Sequence, residues 1–340
     1  MAGVAFYATS LAILACIYGI IVTGLNVQWG FAGILNFGVA AFVAIGAYTY
    51  GLVTLGPPPA GSNESYILGL QAPFLIGLLA AAVAGGVTSW LLGAVALRRV
   101  RSDYLAITTL AFSQIVWVIA GNETWLVNGW DGLAGIPRPF NEVLELSYGT
   151  YDLFFLALCL VVLAAVTAMA EVMLRAPFGR ILRGVREDAL IVASFGRNAT
   201  SLRLRAFVTG SVMASIGGAL LAAYVGAFNP SAFLAGETFV VWTALLIGGP
   251  GNTLGALLGA IVVPVVLTEG TRFLPHVTTN SQFIEALRYF TIGVVLILVL
   301  RFRPQGLLPE RPRTHERAPW SSRWRGGARN ERSGGNPPHA

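Results

Sequence analysis

Side chains able to do chemistry are sparse in this 340-residue chain, and their spacing excludes most reactions. The three histidines, His276, His315 and His339, are scattered, and Cys16 and Cys159 lie in apolar runs without a CxxC pair. No metal-ligand cluster can be assembled from them at a known motif spacing. All 22 basic residues are Arg; the chain has no Lys. A Walker-type phosphate loop needs its Lys, and Schiff-base chemistry needs a Lys amine, so both are excluded. The turn Gly248-Gly249-Pro250-Gly251-Asn252 therefore reads as a tight connection between two short apolar segments, not a nucleotide site.

One segment has a dense pattern of charge. Between Arg175 and Arg205 lies the only long charged insertion within the hydrophobic part of the chain. A short amphipathic helix is expected over Arg183–Gly196. Arg183, Arg186, Glu187 and Asp188 charge its first half, and Ala189, Val192 and Ala193 form a small apolar face at i, i+3, i+4. Such a helix suits docking into a partner's groove. Its arginines equally suit anionic lipid headgroups, and the pattern leaves both readings open.

The elements that carry these residues follow from composition. Hydrophobic residues make up 55% of the chain, charged residues 11%, and mean hydropathy is +0.70. A soluble domain carries roughly 25% charged residues. This one cannot coat a water-facing surface, which disfavours a soluble enzyme or a nucleic-acid binder. The expected class is an all-α polytopic integral membrane protein with roughly eight to ten transmembrane or re-entrant helices. Apolar runs at 4–26, 34–55, 73–97, 104–121, 151–174, 206–228 and 283–300 supply spans, and 239–247 with 253–268 form a broken or re-entrant pair. Residues 1–308 are read as one transmembrane domain that includes the 175–205 loop. The Arg-, Pro- and Gly-rich tail 309–340 is expected to be disordered.

Nineteen of the 22 Arg fall after the third run, in the insertion or in the tail. By the positive-inside rule those regions are cytoplasmic, with the N-terminus outside. Within the runs, Asn36, Thr108, Thr109, Ser113 and Gln114 are candidates for the wall of a passage, together with Asn26 and Gln28. Ordinary hydrogen bonding between helices is the competing reading for each. No intramembrane Asp/Glu pair suggests proton coupling.

Several stretches resemble, in order, the permeases of branched-chain amino acid ABC transporters of the LivM type. Gly24-Leu25-Asn26 through Gly46-Ala47-Tyr48 is similar to that family's first signature, and Asp103 to Phe112 to its second. Asn128-Gly129 through Gly135-Ile136-Pro137 is similar to its outer loop, and Gly179 to Gly196 to its cytoplasmic loop. Gly248 to Asn252 and Arg303 to Leu308 are similar to its late turn and ending. Val39 stands where the family usually has His, and Ala189 where a second acid is common.

The resemblance implies one of two permease subunits of an importer in the bacterial inner membrane, partnered by a LivH-type permease. Two ATPase subunits would hold ATP and Mg, this chain having no cofactor or catalytic residue of its own. An external binding protein would deliver substrate. The resemblance also makes Arg183–Gly196 the coupling helix, with Arg183 and Arg186 meeting acids, and Glu187 and Asp188 meeting bases, on the ATPase. Permeases for urea or amides share much of the pattern. A self-sufficient secondary carrier is the alternative from a different class.

Overall fold

The computed structural model describes residues 2–58, 64–99, 102–140, 148–263, 281–303 and 305–310. Twelve α-helices occur among them, and no strand. They are α1 (Ala2–Leu25), α2 (Val39–Thr54), α3 (Phe74–Arg99), α4 (Ser102–Asn122), α5 (Thr124–Val127), α6 (Tyr148–Arg175), α7 (Pro177–Glu187), α8 (Ala189–Ser194), α9 (Ala199–Val225), α10 (Ala235–Gly248), α11 (Thr253–Ile261) and α12 (Ser281–Phe302). Six segments among the described residues are long and apolar enough to cross a membrane, and Val39–Thr54 and Phe290–Phe302 are shorter apolar helices. The chain is an all-α polytopic membrane protein. One compact unit runs to Glu310. The tail from 311 onward lies outside the described residues, as do residues 264–268 of the expected 253–268 segment.

α9 is the central helix, packed on α1, α2 and α3. Lipid tails are as apolar as Leu, so helices join in a membrane by close van der Waals packing, which small residues permit. α9 presents Gly210, Ser211, Ala214, Ser215, Gly217 and Gly218, all among its buried residues. At Gly218 an added Cβ would collide with the backbone of Val43 in α2. The outward faces are lipid-like instead. Leu75, Leu79, Val83, Trp90 and Val95 of α3, and Leu153, Leu160, Val161 and Val172 of α6, are all exposed.

Two boundaries differ from the sequence expectation. α9 begins at Ala199, not Ala206, because the Asn198 side chain accepts the Ser201 N–H at 3.0 Å and caps a helix that already contains Arg203 and Arg205. α10 begins at Ala235, after a 3₁₀ turn over Pro230–Phe233.

The first span does not simply turn into the second. After Leu25 the helix widens into a π-helix over Asn26–Phe31, and the chain then runs without helix until α2 begins at Val39. Ala32, Ile34, Asn36 and Gly38 in this break are buried. Irregular backbone at membrane depth is tolerated only inside protein, with its polar groups satisfied. Here α4, α9 and α10 surround it.

Gly218→Val forces α9 away from Val43. Overpacking of this kind costs about 1–3 kcal/mol. We expect a clear drop in the unfolding midpoint in detergent, whereas Val83→Leu on the exposed face of α3 leaves it unchanged.

Candidate functional site

The residues singled out as a passage wall divide into three groups. Asn36 and Thr109 belong to the first, which holds the break together. Gln28 donates through Nε2 to the Phe207 carbonyl (2.8 Å) and to Ser211 Oγ (3.1 Å), and its Oε1 accepts from Asn36 Nδ2 at 2.8 Å. Asn36 Oδ1 accepts the Gly38 N–H at 2.8 Å, and its carbonyl accepts Trp242 Nε1 at 2.8 Å. Thr109 Oγ1 accepts the Phe37 N–H at 3.0 Å, and Thr238 Oγ1 accepts the Ala40 N–H at 3.1 Å. Gln28, Asn36, Thr109 and Thr238 are almost wholly buried. Asn36 and Thr109 are thus engaged in hydrogen bonds that tie the break to neighbouring helices.

Thr108 and Gln114 make the second group. Thr108 bonds back to the Tyr104 carbonyl of its own helix. Gln114 lies on the exposed stripe of α4 with Ile107, Ile115 and Val118. Adjacent residues on a helix point about 100° apart, so Ser113 and Gln114 cannot share one wall. Ser113 alone is the third group. It is buried and lines a narrow void between α2, α4 and the Pro230–Phe233 turn.

The charged insertion is two helices, not one. Pro177 opens α7, whose Leu182 and Val185 are fully buried while Arg180 and Glu187 face out. Asp188 breaks the helix: its backbone is extended, and its carboxylate accepts the N–H groups of Leu190 (2.7 Å) and Ile191 (3.3 Å), capping α8. Within its own chain, Asp188 thus holds the cap of α8. The change of direction also overturns the expected apolar face. Ala189 and Val192 are half-buried, and Val192 lies close to Gly184 of α7. Leu190 (81% exposed), Ile191 and Phe195 (81% exposed) project instead, with Ala193 and Gly196 exposed beside them.

Arg183 and Arg186 are likewise turned inward. Arg186 Nη2 pairs with Glu310 at 2.9 Å, and its Nη1 donates to the Gly30 carbonyl in the π-helix. Arg183 Nε pairs with the same carboxylate at 3.2 Å and lies over the Phe31 ring, 5.0 Å from its centroid. Gln305–Glu310 is itself tied to the Gly248–Asn252 turn. Leu307 and Leu308 donate to the carbonyls of Ile247 (2.7 Å) and Gly248 (3.0 Å), and Gly251 N–H donates to Asn26 Oδ1 at 2.9 Å. Sequence reasoning missed Glu310 because it was assigned to the tail. Its signal was an acid two residues beyond the Arg303–Leu308 motif.

A second knot closes the opposite end of the bundle. Leu133 and Phe228 exchange backbone hydrogen bonds at 2.9 Å, Ile136 N–H donates to the Gly226 carbonyl at 3.0 Å, and Asn128 in left-handed conformation accepts the Ser65 N–H at 3.0 Å. Trp130 packs edge-on against Trp117 at 5.1 Å. An open cleft of about 490 Å³ lies here, lined by Asp131, Leu133, Phe228 and Phe233. Among the described residues no three of His, Cys, Asp and Glu gather as a metal site.

The sequence has relatives. Residues 7–300 match the family model described as branched-chain amino acid transport system / permease component. The chain belongs to that family. It is 33% identical over 321 residues to the high-affinity branched-chain amino acid transport system permease protein LivM of Escherichia coli K12, covering 88% of this chain and 69% of that protein. It is 31% identical to a probable LivM of Methanocaldococcus jannaschii, covering 87% and 91%. It is 25% identical to the LivH permease of Salmonella typhimurium, covering 87% and 92%. No solved structure matches.

Thr109→Val removes the acceptor for the Phe37 N–H inside the bundle. An unsatisfied buried donor costs about 1–3 kcal/mol, so this variant melts earlier in detergent, whereas Thr108→Val, on the half-exposed side of α4, does not.

Proposed function

We propose that the chain is the translocating subunit of an ATP-driven importer of branched-chain amino acids, with α8 as the element through which a separate ATPase acts. Family membership over residues 7–300 supports the permease role, and the names of the LivM relatives support the substrate. The observation that carries the coupling role is the exposed cluster Leu190, Ile191 and Phe195, held on a capped helix beyond the buried face of α7. An apolar knob on a charged segment fits a groove in a partner protein. The sequence expectation is thereby revised: apolar contact through these three residues, with Glu187 and Ala193 beside them, replaces ion pairs through Arg183 and Arg186.

The end that bears Arg98, Arg175 to Arg205 and Arg301 is assigned to the cytoplasm by the positive-inside rule, which sets the cleft at Asp131 facing outward. The membrane is then the bacterial inner membrane, and an external binding protein delivers substrate to the outer end. ATP and Mg sit on the two ATPase subunits. The stripe of α4 that exposes Gln114 faces the second, LivH-type permease, because an amide facing hydrocarbon would be unsatisfied.

The test is reconstitution of the chain with its partner permease, ATPases and binding protein in proteoliposomes. ATP-dependent uptake of L-leucine is expected. Leu190→Asp with Phe195→Asp should lower it more than tenfold and prevent copurification of the ATPase, while the chain stays folded in the membrane. Leucine uptake by the purified chain alone would refute the reading in favour of a self-sufficient carrier.

A further inference from the structure

Two sequence motifs have no part yet in the transport step, the Gly248–Asn252 turn and the ending at Arg303–Leu308. The chain folds them onto each other. Leu307 and Leu308 donate to the carbonyls of Ile247 and Gly248, and Asn252 Nδ2 donates to the Pro309 carbonyl at 3.3 Å. Gln305–Glu310 is thus a strap laid along the α10–α11 turn, with Glu310 at its end. The Glu310 carboxylate meets the turn at Gly251 (φ +82°), where an added Cβ would press on Glu310 Cδ and Oε2.

The same carboxylate holds α7. Arg186 Nη2 lies 2.9 Å from Oε2, and Arg183 Nε lies 3.2 Å from Oε1. The three side chains are only 28% to 30% exposed, so salt screens these pairs less than it would on an open surface. Arg186 passes the contact on to the first span. The last carbonyls of a helix have no partner within it. Here those of Gln28 and Trp29 accept from the N–H groups of Ile34 and Gly33, and that of Gly30 accepts from Arg186 Nη1. A cation suits this end of a helix dipole. Gly33 (φ +66°) leaves room for the Arg186 stem, since an added Cβ there would press on its Cγ. Asn26 Oδ1 returns the contact to the turn by accepting the Gly251 N–H. The π-helix, α7 and the α10–α11 turn thus close a ring around one carboxylate.

The geometry points to Glu310 as the positioning residue of the coupling step. It fixes Arg186 against both the Gly30 carbonyl and the turn, so that α7, the π-helix and the α10–α11 turn move as one body when an ATPase displaces α8. Without the Glu310 charge α7 moves alone, and ATP is hydrolysed without translocation. This rests on the reading of α8 as the ATPase contact and carries it inward to the break.

The test measures L-leucine uptake and ATP hydrolysis on the same proteoliposomes holding the full transporter. Glu310→Gln keeps the side chain's shape and removes its charge. It should keep ATP hydrolysis within about twofold of wild type and lower leucine uptake about tenfold, so that the ATP hydrolysed per leucine rises about tenfold. A merely structural role would lower both rates together as less transporter assembles; that unchanged ratio would overturn the proposal. Arg186→Gln should raise the ratio equally, and the double variant should raise it no further, because Glu310 acts through Arg186. A double variant whose ratio multiplies to about a hundredfold has two independent effects, and that also overturns the proposal. If Glu310→Gln does not assemble, Arg186→Gln decides by the same ratio, since the strap keeps its backbone bonds to the turn. Wild-type transporter that moves no leucine sinks the importer reading, and the positioning role with it. A wild-type ratio in an assembled Glu310→Gln transporter sinks the positioning role alone.

Discussion

The structure depends on one requirement: the peptide groups between Ala32 and Gly38 must find partners without water. A helix would satisfy them internally, but the chain leaves helix here while still buried. Gln28, Asn36, Thr109, Thr238 and Trp242 answer that need from the π-helix, the break itself, α4 and α10. In a medium without competing donors, each unmet group would cost several kcal/mol (about 4–8 on a water-to-cyclohexane scale). The elements that supply these partners are therefore fixed relative to one another. That fixes where α2 starts, and with it the positions of Ala41, Ala44 and Tyr48 one to three turns later. The small-residue face of α9 then follows as a consequence, because α2 and α3 can reach their places only if Gly218 and its neighbours let the backbones close up.

The same break is tied to the charged insertion and to the turn between α10 and α11. Arg186 reaches from α7 to the Gly30 carbonyl, where the π-helix begins to unwind, and shares Glu310 with Arg183. Asn26, four residues earlier, holds the Gly251 N–H, and the 305–310 segment is hydrogen-bonded across the same turn. Force applied to α7 through α8 would act directly on the bonds that hold the break and the α10–α11 turn. Packed interfaces switch between discrete arrangements rather than deforming smoothly. A tug at Arg186 is therefore most simply expressed as a change in how α1 and α2 meet. This is a contiguous chain of contacts, and its energetic coupling is a separate quantity that only double-mutant cycles measure.

Much of this was legible in the sequence, for physical reasons. Membrane character follows from the scarcity of charge, and span positions from runs of about 20 apolar residues. The broken pair after Phe239 was marked by its glycines: Gly248 lies against the backbone of Gly255 and Gly259 where α10 and α11 pack. What was not legible depends on which way side chains turn. Arg183 and Arg186 share a charge pattern with any docking helix, and only the fold brings Glu310 to them. Asp188 reads as a charge in sequence and acts as a cap in space. The small face Ala189, Val192 and Ala193 had the right period, but the kink at Asp188 turns Ala189 and Val192 inward and leaves Ala193 outside with the larger residues.

Asn36 and Ser113 show why polarity inside a span is by itself a poor guide to function. Both are buried and polar, and both sit in runs that read alike. Asn36 has its carbonyl, its Oδ1 and its Nδ2 all engaged, so a passing ligand could take a bond from it only by breaking one that holds the fold. Ser113 has no such role in the break and packs instead beside Tyr48 and Trp117, in a gap too tight for a water. A transported molecule gains free energy where donors stand unpaired, and gains little where they are already satisfied.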